Sequence, residues 1–192
     1  MGRIVCHDDA ELDGACMTIV ETGLSGVLLI EPELVADRRG FFARLYGEEE
    51  LEVLGIDTRV AQSAIAFNDS TATIRGLHYQ QAPYDETKVV RCTAGAVFDV
   101  VADLRPGSPT LHRWVGLELS ASNRKSLIVP PGCAHGYLTL KPATEVAYLI
   151  SVPYVKNSQR GIRWDDPDLG ISWPQSPLVI GERDAALPLL QK

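Results

Sequence analysis

A chain of 192 residues with 45% hydrophobic and 22% charged residues has the size and composition of one globular domain, large enough to bury a core without disulfide staples. Its net charge of -7 excludes the basic face that nucleic acid requires. No apolar run spans a bilayer, the acidic opening "MGRIVCHDDAELDG" is unlike a signal peptide, and Cys6, Cys16, Cys92 and Cys133 form no C-x-x-C pair, so a cytoplasmic protein is expected.

Residues 1–21 are polar and glycine-punctuated, and read as an N-terminal extension ahead of a domain spanning 22–192. From "GVLLIEPEL" onward, short apolar runs are separated by turn residues. "GEEELEVLG" (47–55) predicts a short helix with Leu51 and Leu54 on one side. Strands follow at "IRGLHYQ" (74–80), "KVVRC" (88–92), "AVFDVVADL" (96–104), "WVGLELS" (114–120), "SLIVP" (126–130), "HGYLTL" (135–140) and "EVAYLISV" (145–152). Turns fall between them at "RPGSPT", "SASNRK", "PPG" and "KPAT". Many short strands at this spacing predict an all-β sandwich or barrel, with a less regular section after Tyr154.

Strand alternation assigns side chains to faces. It groups Ile74, Gly76, His78 and Gln80 opposite Arg75, Leu77 and Tyr79; it groups Lys88 with Val90 and Cys92, and Tyr148 with Val146, Ile150 and Val152. With the apolar face inward, His78, Lys88 and Tyr148 point into one interior. Each alone would be ordinary: a core histidine, a solvated lysine, an aromatic on a pleated surface. Converging on one cavity they suit acid–base chemistry, because a half-buried histidine is a natural general base near neutrality.

"VPPGCAHGY" carries the P-x-G-x-x-H of the second cupin motif, ending at His135, while the place of the first motif's H-x-H holds His78-Tyr79-Gln80. Two histidines fall short of the three protein ligands usual for a catalytic metal. A cupin-like barrel without metal is the expectation. Arg39, Arg75, Lys88, Arg91 and Arg183 are local cations in an acidic chain, and arginines suit a diphosphate-linked ligand.

Seven blocks in a fixed order, "DRRGFF", "IRGLHYQ", "KVVRCTAGAVFDVVADLRPGSPT", "VPPGCAHGYLTL", "EVAYLIS", "GIRWDDPDLGISWP" and "ERDAALPLL", resemble the dTDP-4-dehydrorhamnose 3,5-epimerase family. The resemblance implies a jelly-roll barrel with a few short helices, a homodimer, no cofactor or metal, and a nucleotide-diphosphate sugar as substrate. It implies His78 as catalytic base, Asp184 as the carboxylate that orients it, Tyr148 as acid and Lys88 beside the sugar's C4 oxygen. Arg75 and His135 match substrate-binding positions, and Arg39 and Arg183 match the nucleotide-diphosphate end. Three further binding positions depart from the common pattern. Arg44 stands where a glutamate is frequent, Gln62-Ser63-Ala64 lacks the asparagine of Q-x-N, and Gln159 replaces a glutamate. The implied reaction is epimerisation at C3 and/or C5 of a nucleotide-linked 4-keto-6-deoxyhexose, dTDP-4-dehydro-6-deoxyglucose foremost. A 3,4-ketoisomerase or a single-centre epimerase is the alternative, and a metal-dependent cupin or a non-catalytic sugar-nucleotide binder is weaker.

Overall fold

The computed structural model describes residues 16–190, and the backbone alone of residues 3–5. In chain order its elements are β1 (Arg3–Val5), β2 (Met17–Glu21), β3 (Leu28–Pro32), β4 (Val35–Asp37), β5 (Gly40–Phe42), α1 (Glu48–Val53), β6 (Gln62–Asn68), β7 (Thr73–Gln80), β8 (Lys88–Ala94) and β9 (Ala96–Asp103). They continue with β10 (Trp114–Ser120), β11 (Ser126–Val129), β12 (Cys133–Thr139), β13 (Thr144–Ile150), β14 (Gln159–Gly161), β15 (Val179–Ile180) and α2 (Glu182–Ala185). The predicted short helix is α1. A seven-stranded sheet runs β1-β2-β3-β11-β8-β13-β6, and a second sheet runs β10-β9-β12-β7-β14 with β15 parallel to β7. The β4–β5 hairpin stands apart as its own two-stranded sheet. Among the described residues no helix is long and apolar enough to cross a membrane.

The two sheets face each other across one core. Leu29, Val90, Cys92, Leu127 and Val146 of the larger sheet pack against Val97, Val101, Leu119, Cys133 and Tyr137 of the smaller. Outer faces are covered differently. Met17, Ile19, Ile30, Val89 and Ile128 lie with Leu51 of α1. Leu77, Val100, Ala102 and Ala134 are covered by Ile162, Leu169, Ile171, Trp173 and Leu190 of the irregular C-terminal section. That cover explains why "AVFDVVAD" is nearly all apolar: a strand buried on both faces has no solvent side to alternate toward.

Residues 17–21, assigned to the extension on polarity, form β2 and pair with β3. Met17 and Ile19 alternate onto the buried face beneath α1 and are fully buried, and the glutamate and threonine between and after them explain the polar reading. Residues 6–15, with Cys6, lie outside the described residues.

One irregularity decides the site. In the β7–β12 pair His78 opposes His135 but Arg75 opposes Tyr137, so three steps of β7 match two of β12. Such a bulge shifts the alternation by one residue. Arg75 therefore shares the inner face with His78, whereas strict alternation placed them on opposite faces. The extra residue is accommodated at Gly76, at φ +109°, where a Cβ would stand 2.7 Å from the Gly136 Cα and 2.7 Å from the His135 carbonyl oxygen. Only glycine tolerates that approach.

Away from the site, Asp103 organises the "RPGSPT" turn. Fully buried, it accepts hydrogen bonds from the Arg105 backbone N–H and guanidinium, from Ser108 Oγ and from Thr110 Oγ1. Burial opposes ionisation, but the Arg105, Ser108 and Thr110 bonds outweigh it and hold the carboxyl well below the usual carboxylate range. Asp103→Ala leaves Arg105 without its partner and is expected to cost about 3 kcal/mol, roughly 10 °C in Tm. Because the folded carboxyl is depressed, the stabilisation is complete above its ordinary value of 3.8 and fades as pH falls below it. Melting curves at neutral pH and near pH 2 test this, and a difference between parent and variant that does not shrink in acid rules out the ionic origin.

Candidate active site

The two facing sheets enclose a cavity of about 570 Å³. Gln62, Ala64 and Ala66 of β6, Lys88 of β8 and Tyr148 and Ile150 of β13 form one wall. Arg75, His78 and Gln80 of β7 and His135 and Tyr137 of β12 form the other, and Arg183 and Asp184 enter from α2.

β15 runs alongside the start of β7, which delivers α2 and its Asp184 to the cavity. Asp184 Oδ1 accepts from His78 Nε2 at 2.7 Å, and Oδ2 accepts the Gly76 N–H at 2.9 Å. Burial raises the Asp184 carboxyl, but the bonds from His78 and Gly76 outweigh it and leave the group below its ordinary value. An ionised carboxylate is thus fixed against one imidazole nitrogen. With Nε2–H donated to Asp184, His78 Nδ1 is the nitrogen left to accept a proton.

A second histidine–carboxylate pair lies in the same wall. His135 Nε2 sits 2.9 and 3.0 Å from the two oxygens of Asp99, and both residues are buried. The His135 ring meets Tyr148 edge to face at 6.1 Å. Burial first, then the neighbouring Tyr137 and Asp99, pushes the Tyr148 phenol well above its ordinary value. Tyr148 is therefore a protonated phenol, packed against the core cluster that includes Tyr137. Lys88, only 8% exposed, pairs with Glu86 at 2.9 Å and donates to the His78 carbonyl at 3.3 Å. Arg75 Nε donates to Asn68 Oδ1 at 2.8 Å, and Asn68 Nδ2 reaches the Tyr137 hydroxyl at 3.2 Å. Among the described residues no group of three or more His, Cys, Asp or Glu side chains is arranged to hold a metal ion.

Comparison with known proteins decides the family. The family model for dTDP-4-dehydrorhamnose 3,5-epimerase matches residues 21–192. The chain belongs to the dTDP-4-dehydrorhamnose 3,5-epimerase family. It is 41% identical over 168 residues to the Sinorhizobium fredii dTDP-4-dehydrorhamnose 3,5-epimerase, covering 87% of this chain and 86% of that one. The crystal structure of the Bacillus anthracis enzyme, with TDP and PPi bound, superposes with a TM-score of 0.86 at 40% identity, over 91% of this chain and 99% of that one. The Legionella pneumophila epimerase in complex with dTDP-4-keto-L-rhamnose superposes with a TM-score of 0.84 at 36% identity, over 90% and 92%. The cupin-like jelly roll and the epimerase class read from the sequence both stand.

In this epimerase the cavity gathers His78, Asp184, Tyr148, Lys88, Arg75, His135, Gln62, Gln159 and Arg183. Gln62 is tied to the Val152 carbonyl, and Gln159 accepts from the Tyr154 hydroxyl. Two of the residues named from sequence stand elsewhere. Arg39 sits on the β4–β5 hairpin, 85% exposed and paired with Asp37. Arg44 is paired at 2.5 Å with Glu50 of α1, so its guanidinium answers a carboxylate of its own chain. Sequence reasoning overlooked Asp99, Tyr137, Asn68, Glu86 and Tyr154. For Asp99 a signal existed: a carboxylate inside an otherwise apolar strand needs a buried partner. For Glu86 the signal was its position two residues before Lys88, on the same face of an extended chain. Nothing local marks Asn68, whose importance lies in the long-range contact with Arg75.

Proposed function

We propose that this epimerase inverts C3 and C5 of dTDP-4-dehydro-6-deoxyglucose by removing and returning protons next to the C4 ketone. The observation that carries the reading is the pairing across the cavity. A carboxylate-backed histidine stands on one sheet, and a protonated phenol and an ammonium stand on the facing one. His78 Nδ1 takes the carbon-bound proton, and the C–H electron pair moves into an enolate whose charge rests on the C4 oxygen. Asp184 stabilises the imidazolium that forms. Lys88 stabilises the oxyanion, the kind of electrostatic help that is often the largest catalytic contribution. Tyr148 then protonates the same carbon from the opposite side, and exchange with solvent restores the phenol and the imidazole. Both C3 and C5 flank the ketone, so one set of groups serves both centres.

Arg75, held by Asn68, and Arg183 at the cavity edge serve the substrate and its diphosphate. Arg39 is too far along its hairpin to line its own chain's cavity, and that hairpin exposes Phe41 and Phe42 while β6 exposes Ile65 and Phe67. Apolar surface of this extent favours a partner. The assembly is read as a homodimer in which the hairpin of one copy covers the outer face of the other. Cys92 and Cys133 are buried free thiols, which fits a reducing, cytoplasmic setting.

The test is incubation with dTDP-4-dehydro-6-deoxyglucose in deuterated water, followed by NMR. Deuterium is expected at C3 and C5, with the inverted sugar accumulating. A ketone that migrates to C3, or a sugar nucleotide that binds without exchanging, overturns the reading.

A further inference from the structure

Glu86 lines the cavity without a role in the proton transfers, yet both of its oxygens are partnered. Its side chain and that of Lys88 are each only 10% exposed, and Oε1 lies 2.9 Å from the Lys88 ammonium. Its other oxygen accepts from Gln80 Nε2 at 2.9 Å. Gln80 is itself buried and anchored. Its Nε2 also reaches the Tyr84 and Pro153 carbonyls, and its Oε1 accepts the Val155 N–H at 2.7 Å. Through this one amide Glu86 is tied to β7 and to the 153–155 segment, and its Oε1 faces the lysine.

A buried ion pair needs its remaining hydrogen-bonding capacity satisfied. An ammonium needs a fixed place if it is to meet an oxygen that becomes negative only in the transition state. Of its three donors, Lys88 gives one to Glu86 and one to the His78 carbonyl, which leaves one for the substrate. Granting the epimerase activity proposed above, we infer that Glu86, clamped by Gln80, is the positioning residue that holds Lys88 aimed at the C4 oxygen. The backbone oxygen that shares the ammonium belongs to His78, so the same contacts keep the lysine in register with the base.

The test is a double-mutant cycle on deuterium exchange with dTDP-4-dehydro-6-deoxyglucose, using the parent, Glu86→Gln, Lys88→Ala and the double variant. Glu86→Gln is expected to lower kcat about tenfold with KM changed less than about twofold. In the Lys88→Ala background it should add nothing, because the two act as a unit. A purely structural glutamate would lower activity by the same factor in both backgrounds, and that result overturns the inference, as does a fully active Glu86→Gln. Glu86→Ala, which leaves Gln80 its three other bonds, serves if the glutamine variant does not fold. Exchange absent from the parent itself would instead count against the epimerase activity, separately from any role of Glu86.

Discussion

His78→Ala is expected to abolish deuterium incorporation at both C3 and C5, a loss of about 10³-fold or more, while dTDP still binds. The size of the effect follows from there being one base for two carbons. Asp184 holds Nε2 and the His78 side chain is 26% exposed to the cavity, whereas the second histidine–carboxylate pair, His135 with Asp99, is buried, His135 being 4% exposed. Asp184→Asn should lose less, about 10- to 100-fold, since an amide keeps part of the orientation and forfeits the charge that steadies the imidazolium. The depressed Asp184 carboxyl is ionised throughout the neutral range. Its contribution is complete above its ordinary 3.8 and lost only as pH falls through the lower folded value, so activity lost near neutrality comes from another group. Exchange in the His78 variant at the parent rate would remove it from the mechanism.

Tyr148→Phe is expected to separate exchange from inversion. The variant keeps His78, Asp184 and Lys88, so the carbon proton is still removed and deuterium returned from the same face. Delivery to the opposite face loses its donor, and inversion should slow about 100-fold while wash-in persists. Burial, and then Tyr137 and Asp99, push the phenol above its ordinary value, so Tyr148 carries its proton across the working pH range. NMR time courses that follow wash-in and the inverted product in one sample read both rates. Product formed at the parent rate would leave Tyr148 as no more than a packing residue over His135.

The sequence by itself determined β7 to β13, the barrel class and the inward placement of His78, Lys88 and Tyr148. Strand periodicity and turn residues are local signals, and an inward-facing histidine, lysine and tyrosine in apolar strands are conspicuous because buried polar groups are costly without partners. What it could not determine were relations between distant segments. The bulge at Gly76 depends on Gly136 of another strand, so Arg75 reads as facing outward until β12 is laid beside β7. Asp184 reaches His78 across 106 residues only because β15 follows β7. The burial of Met17 and Ile19 depends on α1 closing over them. Arg44 offers a charge in a block that resembles a nucleotide contact, and the folded chain sets it against Glu50 of α1. In each case a local pattern says which face or charge a residue offers, and only the packed chain says what meets it, since pairing energies depend on neighbours that sequence distance does not record.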